Sequence, residues 1–293
     1  MTNGFLLIDK QKRINSFKLV IALRKIANQK RVGFAGTLDP LASGLMILAF
    51  GEYTKLLPYL EAADKVYLAK LKLGFVSNTY DGEGEIVEQD ISSLEKPNLQ
   101  ILNKIIVQNF LGKIKQIPPK FSAIQIDGKR AYDLARKGAD FSLKPREVEI
   151  FSCEVVSYNF PDLELKIHCS SGTYIRSIAN DLGVLLKFGA YLTDLRRINV
   201  AGVGVDQAEQ LEEINAENFR LKFADLSLLF PTLPQFDLVK SQYEILAKGN
   251  FIDNVFDFSV GIALGLLDEQ VVGLIETCEN GRKLKFKKKF NIF

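Results

Sequence analysis

The sequence is poor in the residues on which many enzymes and metal sites depend. It has one histidine, His168, and three cysteines, Cys153, Cys169 and Cys278, which are far apart and form no CxxC pair. That spacing disfavours a zinc knuckle or a disulfide framework and is typical of a protein kept in a reducing cytoplasm. A Walker loop, a GxSxG elbow and a GxGxxG loop after a strand are also missing. Any chemistry must therefore rest on carboxylate, arginine, tyrosine or lysine side chains.

The single histidine does not change this conclusion. His168 lies in an alternating segment, residues 163–169, where it shares the polar face with Glu164 and Lys166. We interpret it as a non-catalytic strand residue. The sequence also contains no apolar run of about 18 residues and no basic-then-apolar leader, so neither a membrane span nor secretion is expected.

Length and composition indicate a folded protein of moderate complexity. Of the 293 residues, 47% are hydrophobic and 25% are charged, which suits one large domain and a small one. The net charge of +3 says little by itself about partners.

A predicted helix with Ser16 as its cap leads into residues 33–44, the most distinctive stretch of the sequence. There a single carboxylate, Asp39, lies among glycines and leucines. Pro40 disfavours a helical conformation at Asp39, and Gly36 and Gly44 permit backbone angles that other residues resist. The apolar run that follows, residues 45–50, predicts a buried strand. Asp39 is thus expected on a shaped loop before a core strand, where it could be a turn residue or a functional carboxylate.

Two further candidates lie in the next part of the chain. Residues 66–73 alternate, which places Tyr67 on the apolar face, toward either the core or a cleft. Asp81 lies in a polar, glycine-rich loop, residues 77–84, where a turn residue, a cation site and a partner contact are all open.

Residues 112–146 differ sharply from the rest in charge. They contain nine basic residues against three acidic ones, a local excess larger than the +3 of the whole chain. Such an excess is typical of a surface that binds a phosphate backbone, although a solvated basic face is the alternative. Phe121, Tyr132 and Phe141 are interleaved and could stack on bases. A strand over 121–126, a turn at 127–128 and a helix over 130–137 predict a structured projection.

The second half of the chain presents one more candidate side chain. Residues 147–160 and 162–169 predict two antiparallel strands, and Gly172 ends the second. Arg176 then lies on the first turn of a predicted helix with Thr173 as its cap, and strand-to-helix junctions commonly present functional groups. A strand over 191–200 carries Arg196 and Arg197, and residues 206–230 predict a polar helical region. The last 63 residues, basic and β-rich, predict a small barrel-like unit, with a capping box at 241–244 and hairpin strands over 260–267 and 271–275.

Seven segments, in this order, resemble motifs of the bacterial tRNA pseudouridine-55 synthases, the TruB family. They are LLIDK at 6–10, GTLDPLASG at 36–44, GEYTK at 51–55, DKVY at 64–67, IPPKFSA at 117–123, HCSSGTYIR at 168–176 and LRR at 195–197. The resemblance runs from about residue 4 to residue 197. It implies an α+β fold with a mixed, mainly antiparallel sheet and flanking helices.

The resemblance also implies a reaction and its residues. Uridine 55 of the tRNA T arm is detached from ribose at N1, turned over and rejoined through C5, without cofactor or metal. Asp39 would be the nucleophile or base, and Arg176 its partner. Tyr67 would stack on the flipped base and help remove the C5 proton, while Tyr174 lines the pocket.

The remaining expectations concern RNA contact. Residues 112–146 correspond to the RNA-gripping thumb, which includes Lys129 and Arg130. Residues 1–230 would form the catalytic domain, and residues 231–293 a PUA-like RNA-binding domain. Lys10, Lys55 and Arg197 are candidates for phosphate or RNA contact, with Asp81 as a further substrate-binding candidate. A cytoplasmic monomer with no membrane or obligate protein partner is expected.

Three positions depart from the family pattern. Phe34 stands where the family usually has a histidine that helps to flip bases, and phenylalanine keeps the stacking face but loses the hydrogen bond. Asn78 replaces a usual acid, and Gln11 a usual proline. Phe34 supports one alternative, a tRNA-folding chaperone with lost catalysis. A glycosidase would normally need a second carboxylate.

Overall fold

A computed structural model describes residues 2–256 and 261–291. The strands are β1 Gly4–Lys10, β2 Val32–Ala35, β3 Ser43–Phe50, β4 Lys65–Leu73, β5 Phe75–Ser77, β6 Ile86–Glu88, β7 Gly112–Gln116, β8 Gln125–Ile126, β9 Lys129–Arg130, β10 Arg146–Asn159, β11 Asp162–Cys169, β12 Ala190–Val200, β13 Val203–Gly204, β14 Phe223–Ala224, β15 Gln235–Asp237, β16 Ile252–Asp253, β17 Ile262–Leu267, β18 Gln270–Cys278 and β19 Lys283–Lys289. The α-helices are α1 Ser16–Ile26, α2 Leu57–Ala62, α3 Leu99–Asn109, α4 Ala131–Arg136, α5 Ile175–Leu186, α6 Leu226–Leu229 and α7 Lys240–Ala247, with 3₁₀ turns at Gly51–Leu56, Val205–Gln207 and Leu211–Glu213.

The largest sheet runs in the order β14-β1-β3-β12-β4-β11-β10-β7, with β2 beside β3 and β13 beside β12. Its pairs are antiparallel except β12 with β3, which are parallel. The predicted mixed, mainly antiparallel sheet with flanking helices is therefore confirmed. None of the described helices is long and apolar enough to cross a membrane.

The central strand β3 is buried along its whole length because both faces of the sheet are covered there. Met46 and Leu48 pack into the core under helices α1, α3 and α5, whereas Leu45 and Ile47 pack on the opposite side against residues of β17 and β18. This explains why its sequence is a continuous apolar run instead of an alternation.

The helices that cover the sheet begin at residues other than those the sequence suggested. Asn15, not Ser16, caps α1, since its side chain accepts from the amide of Phe17. Thr173 does not cap α5; its hydroxyl donates to the Ser170 carbonyl instead. Because Ser16 does not cap α1, its side chain is available for a contact with the loop of Asp39.

Residues 206–230 also depart from expectation. In place of a polar helical region, the structure has short 3₁₀ turns, the edge strand β14 and the four-residue helix α6. β14 pairs with β1 through Phe223 and Ala224, so this part of the chain extends the large sheet at its edge.

A second sheet follows in the order β15-β17-β18-β19-β16, which agrees with the predicted β-rich character of the C-terminal residues. The predicted first hairpin strand starts at Val260, which lies outside the described residues. The capping box on α7 also differs from the prediction. The side chain that accepts from the amide of Val239 is that of Gln242, not that of Glu244.

The projection at residues 112–146 begins on β7 and returns on β10, which pair in an antiparallel register. Between them the β8–β9 hairpin leads directly into α4. The predicted strand over 121–126 is thus shorter than expected, and Lys129 and Arg130 lie on the second strand of the hairpin.

Candidate active site

The loop that carries Asp39 connects β2 to β3 and is held on both sides of the carboxylate. The Leu38 amide donates to Ser16 Oγ at 3.0 Å, and the Ser16 hydroxyl donates to the Leu38 carbonyl at 2.8 Å. The Arg13 amide donates to the Pro40 carbonyl at 2.7 Å. These bonds come from the segment around the start of α1, so Asp39 lies on a fixed loop.

Arg176, on the first turn of α5, joins this loop to another. Its Nη2 lies 3.0 Å from Asp39 Oδ2, and its Nη1 lies 3.2 Å from Asp81 Oδ2. The guanidinium also donates to the carbonyls of Thr79 and Phe121, at 3.3 and 3.1 Å. Only 6% of Arg176 is exposed. The arginine is therefore a junction between the Asp39 loop, the 77–84 loop and the base of the projection.

Asp81 is an interior partner of Arg176, with 1% of its surface exposed. Its Oδ1 accepts from the Thr79 hydroxyl at 2.6 Å and from the Glu83 amide at 3.0 Å. The expectation that Asp81 contacts substrate directly finds no support, because its carboxylate is enclosed and fully engaged. The long separation between Asp81 and Arg176 in sequence hid this pairing.

The Asp39 carboxyl is surrounded by protein yet keeps 38% of its side-chain surface accessible. Burial raises the pKa of Asp39 above its ordinary value; Arg176 and Lys10 oppose this effect, and the negative charge of Asp81 adds to it. The arrangement therefore yields an accessible carboxylate that is more basic than one in water and is held in one orientation.

Tyr67 and Arg197 lie side by side on neighbouring strands β4 and β12, where they are register partners. Burial raises the pKa of Tyr67, and the positive charge of Arg197 opposes that rise. The charge of Asp39 also acts on Tyr67, so the two predicted reactive groups share one environment. With 9% of Tyr67 exposed, the structure places this ring at the border of the core.

Three cations expected to contact phosphate have internal partners instead. Lys10 is fully buried, donates to the carbonyls of Gln11 and Ile14 at 3.0 and 2.8 Å, and burial lowers its pKa to about 8. Arg197 is 1% exposed and donates to backbone carbonyls. Lys55 binds Glu52 Oε2 at 2.6 Å and the Lys289 carbonyl. In this arrangement Lys10 and Arg197 bind internal acceptors and Lys55 makes a contact within the fold, while their contact with phosphate or RNA stays a prediction.

Tyr174 precedes α5 and anchors the projection. Its amide donates to Gln116 Oε1 at 2.8 Å, and Gln116 Nε2 donates back to its carbonyl at 3.0 Å. The Ser177 hydroxyl donates to the Ile117 carbonyl at 2.8 Å, and the Arg146 guanidinium lies over the Tyr174 ring. The start of α5 thus fixes both the base of the projection and the Asp39 partner. Sequence reasoning missed Gln116, for which no motif gave a signal.

Phe34 lies on β2, half-buried, and packs against the core that also contains Leu38 and Tyr67. Its ring is therefore on the same side of the sheet as these two residues.

At the far part of the projection, Lys129 and Arg130 are exposed and line an open pocket of about 450 Å³. Guanidinium groups of Arg130 and Arg136 lie 5.9 and 5.6 Å from the Tyr132 ring centre. Lys120 lies over the Phe141 ring in the same way. Aromatic rings that could have stacked on bases are thus already in contact with cations.

Among the described residues, no group of three or more His, Cys, Asp or Glu side chains is arranged to hold a metal ion. The chemistry that this site can offer is an oriented carboxylate with an arginine partner and a neighbouring tyrosine.

Comparison with known proteins identifies the family to which the chain belongs. The model of the TruB family pseudouridylate synthases (N terminal domain) matches residues 24–175. Proteins named tRNA pseudouridine synthase B are similar to this chain. That of Clostridium tetani is 40% identical over 220 residues, 74% of each chain. That of Mycoplasma mobile is 38% identical over 252 residues, 85% of this chain and 82% of the other.

Solved structures share the fold at low sequence identity. A chain of the crystal structure of a Cbf5-Nop10-Gar1 complex is 20% identical with a TM-score of 0.72, covering 98% of this chain and 85% of that one. A chain of an H/ACA RNP bound to a substrate RNA containing 2'-deoxyuridine gives a TM-score of 0.71 at 18% identity, with the same coverage. With a family model that matches half of its length and relatives that are about 40% identical over most of it, the chain belongs to the TruB family of pseudouridylate synthases.

Proposed function

We propose that this protein converts uridine 55 in the T arm of tRNA to pseudouridine, with Asp39 as the essential catalyst. The family membership and the names of the relatives support tRNA pseudouridine synthesis. The observation that carries the proposal at residue level is the accessible Asp39 carboxylate held by the buried Arg176.

The reaction is an isomerisation in which atoms and electrons balance within the substrate. The N1–C1′ bond breaks, the base turns over, and a C5–C1′ bond forms, while C5 loses a proton and N1 gains one. No oxidant or reductant is consumed, and no cofactor is expected. The target nucleotide must leave the stack of the folded arm before a protein group can reach it.

Asp39 acts in this scheme as nucleophile on the ribose or base, or as base toward a sugar proton. Its raised pKa increases its basicity, while the charge of Arg176 opposes the rise and favours the ionised form. Tyr67 stacks on the flipped base and assists removal of the C5 proton. Tyr174 and Phe34 line the same pocket, with Phe34 offering a stacking face without a hydrogen bond.

The projection at residues 112–146 grips the RNA as a thumb. Lys129 and Arg130 are exposed and border an open pocket, as expected for phosphate contacts. We divide the chain into a catalytic domain, residues 1–230, and a PUA-like RNA-binding domain, residues 231–293. Recognition rests mainly on the shape of the T arm and on the flipped base. We further propose a cytoplasmic monomer without an obligate protein partner.

Asp39→Asn tests the proposal directly. We expect no pseudouridine on a T-arm RNA after derivatisation of the product, while RNA affinity stays within about threefold, since the amide keeps the shape but loses the charge. Asp90→Asn, which changes an exposed aspartate bonded to Ser92, is the matched control and should be fully active. Full conversion by Asp39→Asn would remove Asp39 as the catalyst.

One observation favours a second candidate function, a tRNA-folding chaperone without catalysis. Phe34 replaces the histidine usual in the family, which affects how the base is flipped. Tight RNA binding by the wild-type protein, with no pseudouridine formed, would support the chaperone. The joint presence of Asp39, Tyr67 and Arg176 favours the enzyme.

A further inference from the structure

Arg197 occupies an unusual place beneath the Asp39 loop. Its Nε donates to the Leu45 carbonyl at 2.8 Å and its Nη2 to the Gly36 carbonyl at 3.1 Å. These two carbonyls lie at opposite ends of the segment that contains Asp39. One planar guanidinium therefore fixes both ends of the loop, and only 1% of the residue is exposed.

The backbone of the loop is built around this arginine. Gly44 is the parallel register partner of Arg197, and its φ is +107°. A Cβ on Gly44 would lie 2.2 Å from the Arg197 carbonyl oxygen, a distance no side chain tolerates. Gly36 has φ +70°, and a Cβ there would lie 3.3 Å from Arg197 Nη1. Gly44 is thus explained by close approach to the backbone of residue 197, and Gly36 by close approach to the Arg197 guanidinium, each together with its positive φ.

Arg197 also lies beside the other reactive group. Arg197 and Tyr67 are register partners on β12 and β4, and the positive charge of Arg197 acts on Tyr67 by lowering its pKa. The adjacent Arg196 differs, because it forms a two-pronged bond to Asp9 at 3.0 and 2.7 Å and contacts neither Gly36 nor Leu45.

We propose that Arg197 is a positioning residue for the reaction, setting the place of the Asp39 loop relative to Tyr67 through one guanidinium. It does not touch the substrate. A lysine could not replace it, because a single ammonium lacks the planar fork that reaches several acceptors at once. The proposal rests on the proposed function only in taking Asp39 as the reacting group.

Arg197→Lys tests the proposal with two separate measurements. Hydrogen exchange at the amides of residues 37–42, except Pro40, which has none, should become about tenfold faster, because the loop loses a tether and opens locally more often. The single-turnover rate constant should fall about 100-fold, since a displacement near 1 Å of a reacting group has that effect, while RNA affinity stays within about threefold. Arg196→Lys, on the same strand, is the matched control and should leave the rate constant and the loop exchange unchanged.

A second variant decides the case if Arg197→Lys does not fold. Gly36→Ala places a methyl group against Arg197 Nη1 at a positive φ, whereas Gly202→Ala imposes a similar strain, φ +84°, with nothing within 4 Å. We expect Gly36→Ala to slow single turnover about tenfold relative to Gly202→Ala, by the same loss of alignment.

Unchanged single turnover in Arg197→Lys, or equal slowing by Gly36→Ala and Gly202→Ala, would overturn the positioning role. This outcome is distinct from failure of the proposed function, which would show as activity in Asp39→Asn. The exchange measurement reports on the loop without any reference to catalysis.

Discussion

The cations around Asp39 and the cations of the thumb differ in their burial and in their bonding partners. Arg176, Arg197 and Lys10 are at most 6% exposed, and each donates to fixed backbone carbonyls or carboxylates. Lys129 and Arg130 are exposed on a hairpin beside an open pocket. A buried cation with several acceptors fixes geometry, whereas an exposed cation can exchange its counterions for a polyanion. Sign of charge alone therefore does not identify the RNA surface of this protein.

The largest effect is expected at Arg176. Arg176→Gln leaves Asp39 and Asp81 without their shared cation, which should lower the free energy of unfolding by about 3–5 kcal/mol, as for other broken buried pairs. The reaction rate should fall about 1,000-fold through loss of electrostatic preorganisation. Urea unfolding and single-turnover kinetics measure the two effects.

The pH dependence of the rate distinguishes the electrostatic effect of Arg176 on Asp39 from a loss of folding stability. In the proposed mechanism catalysis requires ionised Asp39, so the rate should fall as pH falls through its pKa. Burial places that limb above the range of an ordinary aspartate. Arg176 lowers the pKa of Asp39, so Arg176→Gln should move the acid limb to higher pH. Arg196→Gln, which breaks the pair with Asp9, should lower stability and leave the limb in place. An unmoved limb in Arg176→Gln would contradict the electrostatic role.

An intermediate effect is expected in the thumb. Lys129→Ala combined with Arg130→Ala should weaken T-arm binding and reduce the slope of log affinity against log salt by about 2, one unit for each phosphate contact. The control is Lys12→Ala with Lys222→Ala, which removes the same charge from pairs with Asp194 and Glu209. An equal change of slope in both double variants would mean that net charge, and not the thumb, determines binding.

Local pattern was enough to predict much of the fold. The alternation in β4 and β11 and the apolar run in β3 follow from which sheet faces are covered, and these elements appear where the sequence placed them. The short elements between 201 and 230 were not predictable, because their conformation depends on β14 joining the distant strand β1. The prediction that Ser16 caps α1 was wrong, because its hydroxyl donates to the carbonyl of Leu38, a residue 22 positions away.

The site was predictable where a motif marked it and not where tertiary contacts define it. The GTLDP loop, Tyr67 and Arg176 carry the resemblance and come together in the structure. The burial of Lys10 and Arg197 had no sequence signal, because their acceptors are backbone carbonyls that any residue possesses. For Arg197 those carbonyls belong to residues more than 150 positions away.

The smallest effect is expected at Lys55, which tests whether a cation with fixed internal partners is left out of RNA binding. Lys55 lies against Glu52, the Lys289 carbonyl and the Phe290 ring, so it connects the segment after β3 to the end of β19. Lys55→Met should lower the free energy of unfolding by about 1 kcal/mol, since Glu52 keeps Arg31 as a partner. RNA affinity and its salt slope should stay unchanged.

Lys129→Met, the matched substitution in the thumb, should reverse the pattern, with unaltered stability and a salt slope reduced by about 1. A flatter salt dependence in Lys55→Met would show that a cation with fixed internal partners still contributes to RNA binding. That result would contradict the contrast between cations with internal partners and the exposed cations of the thumb.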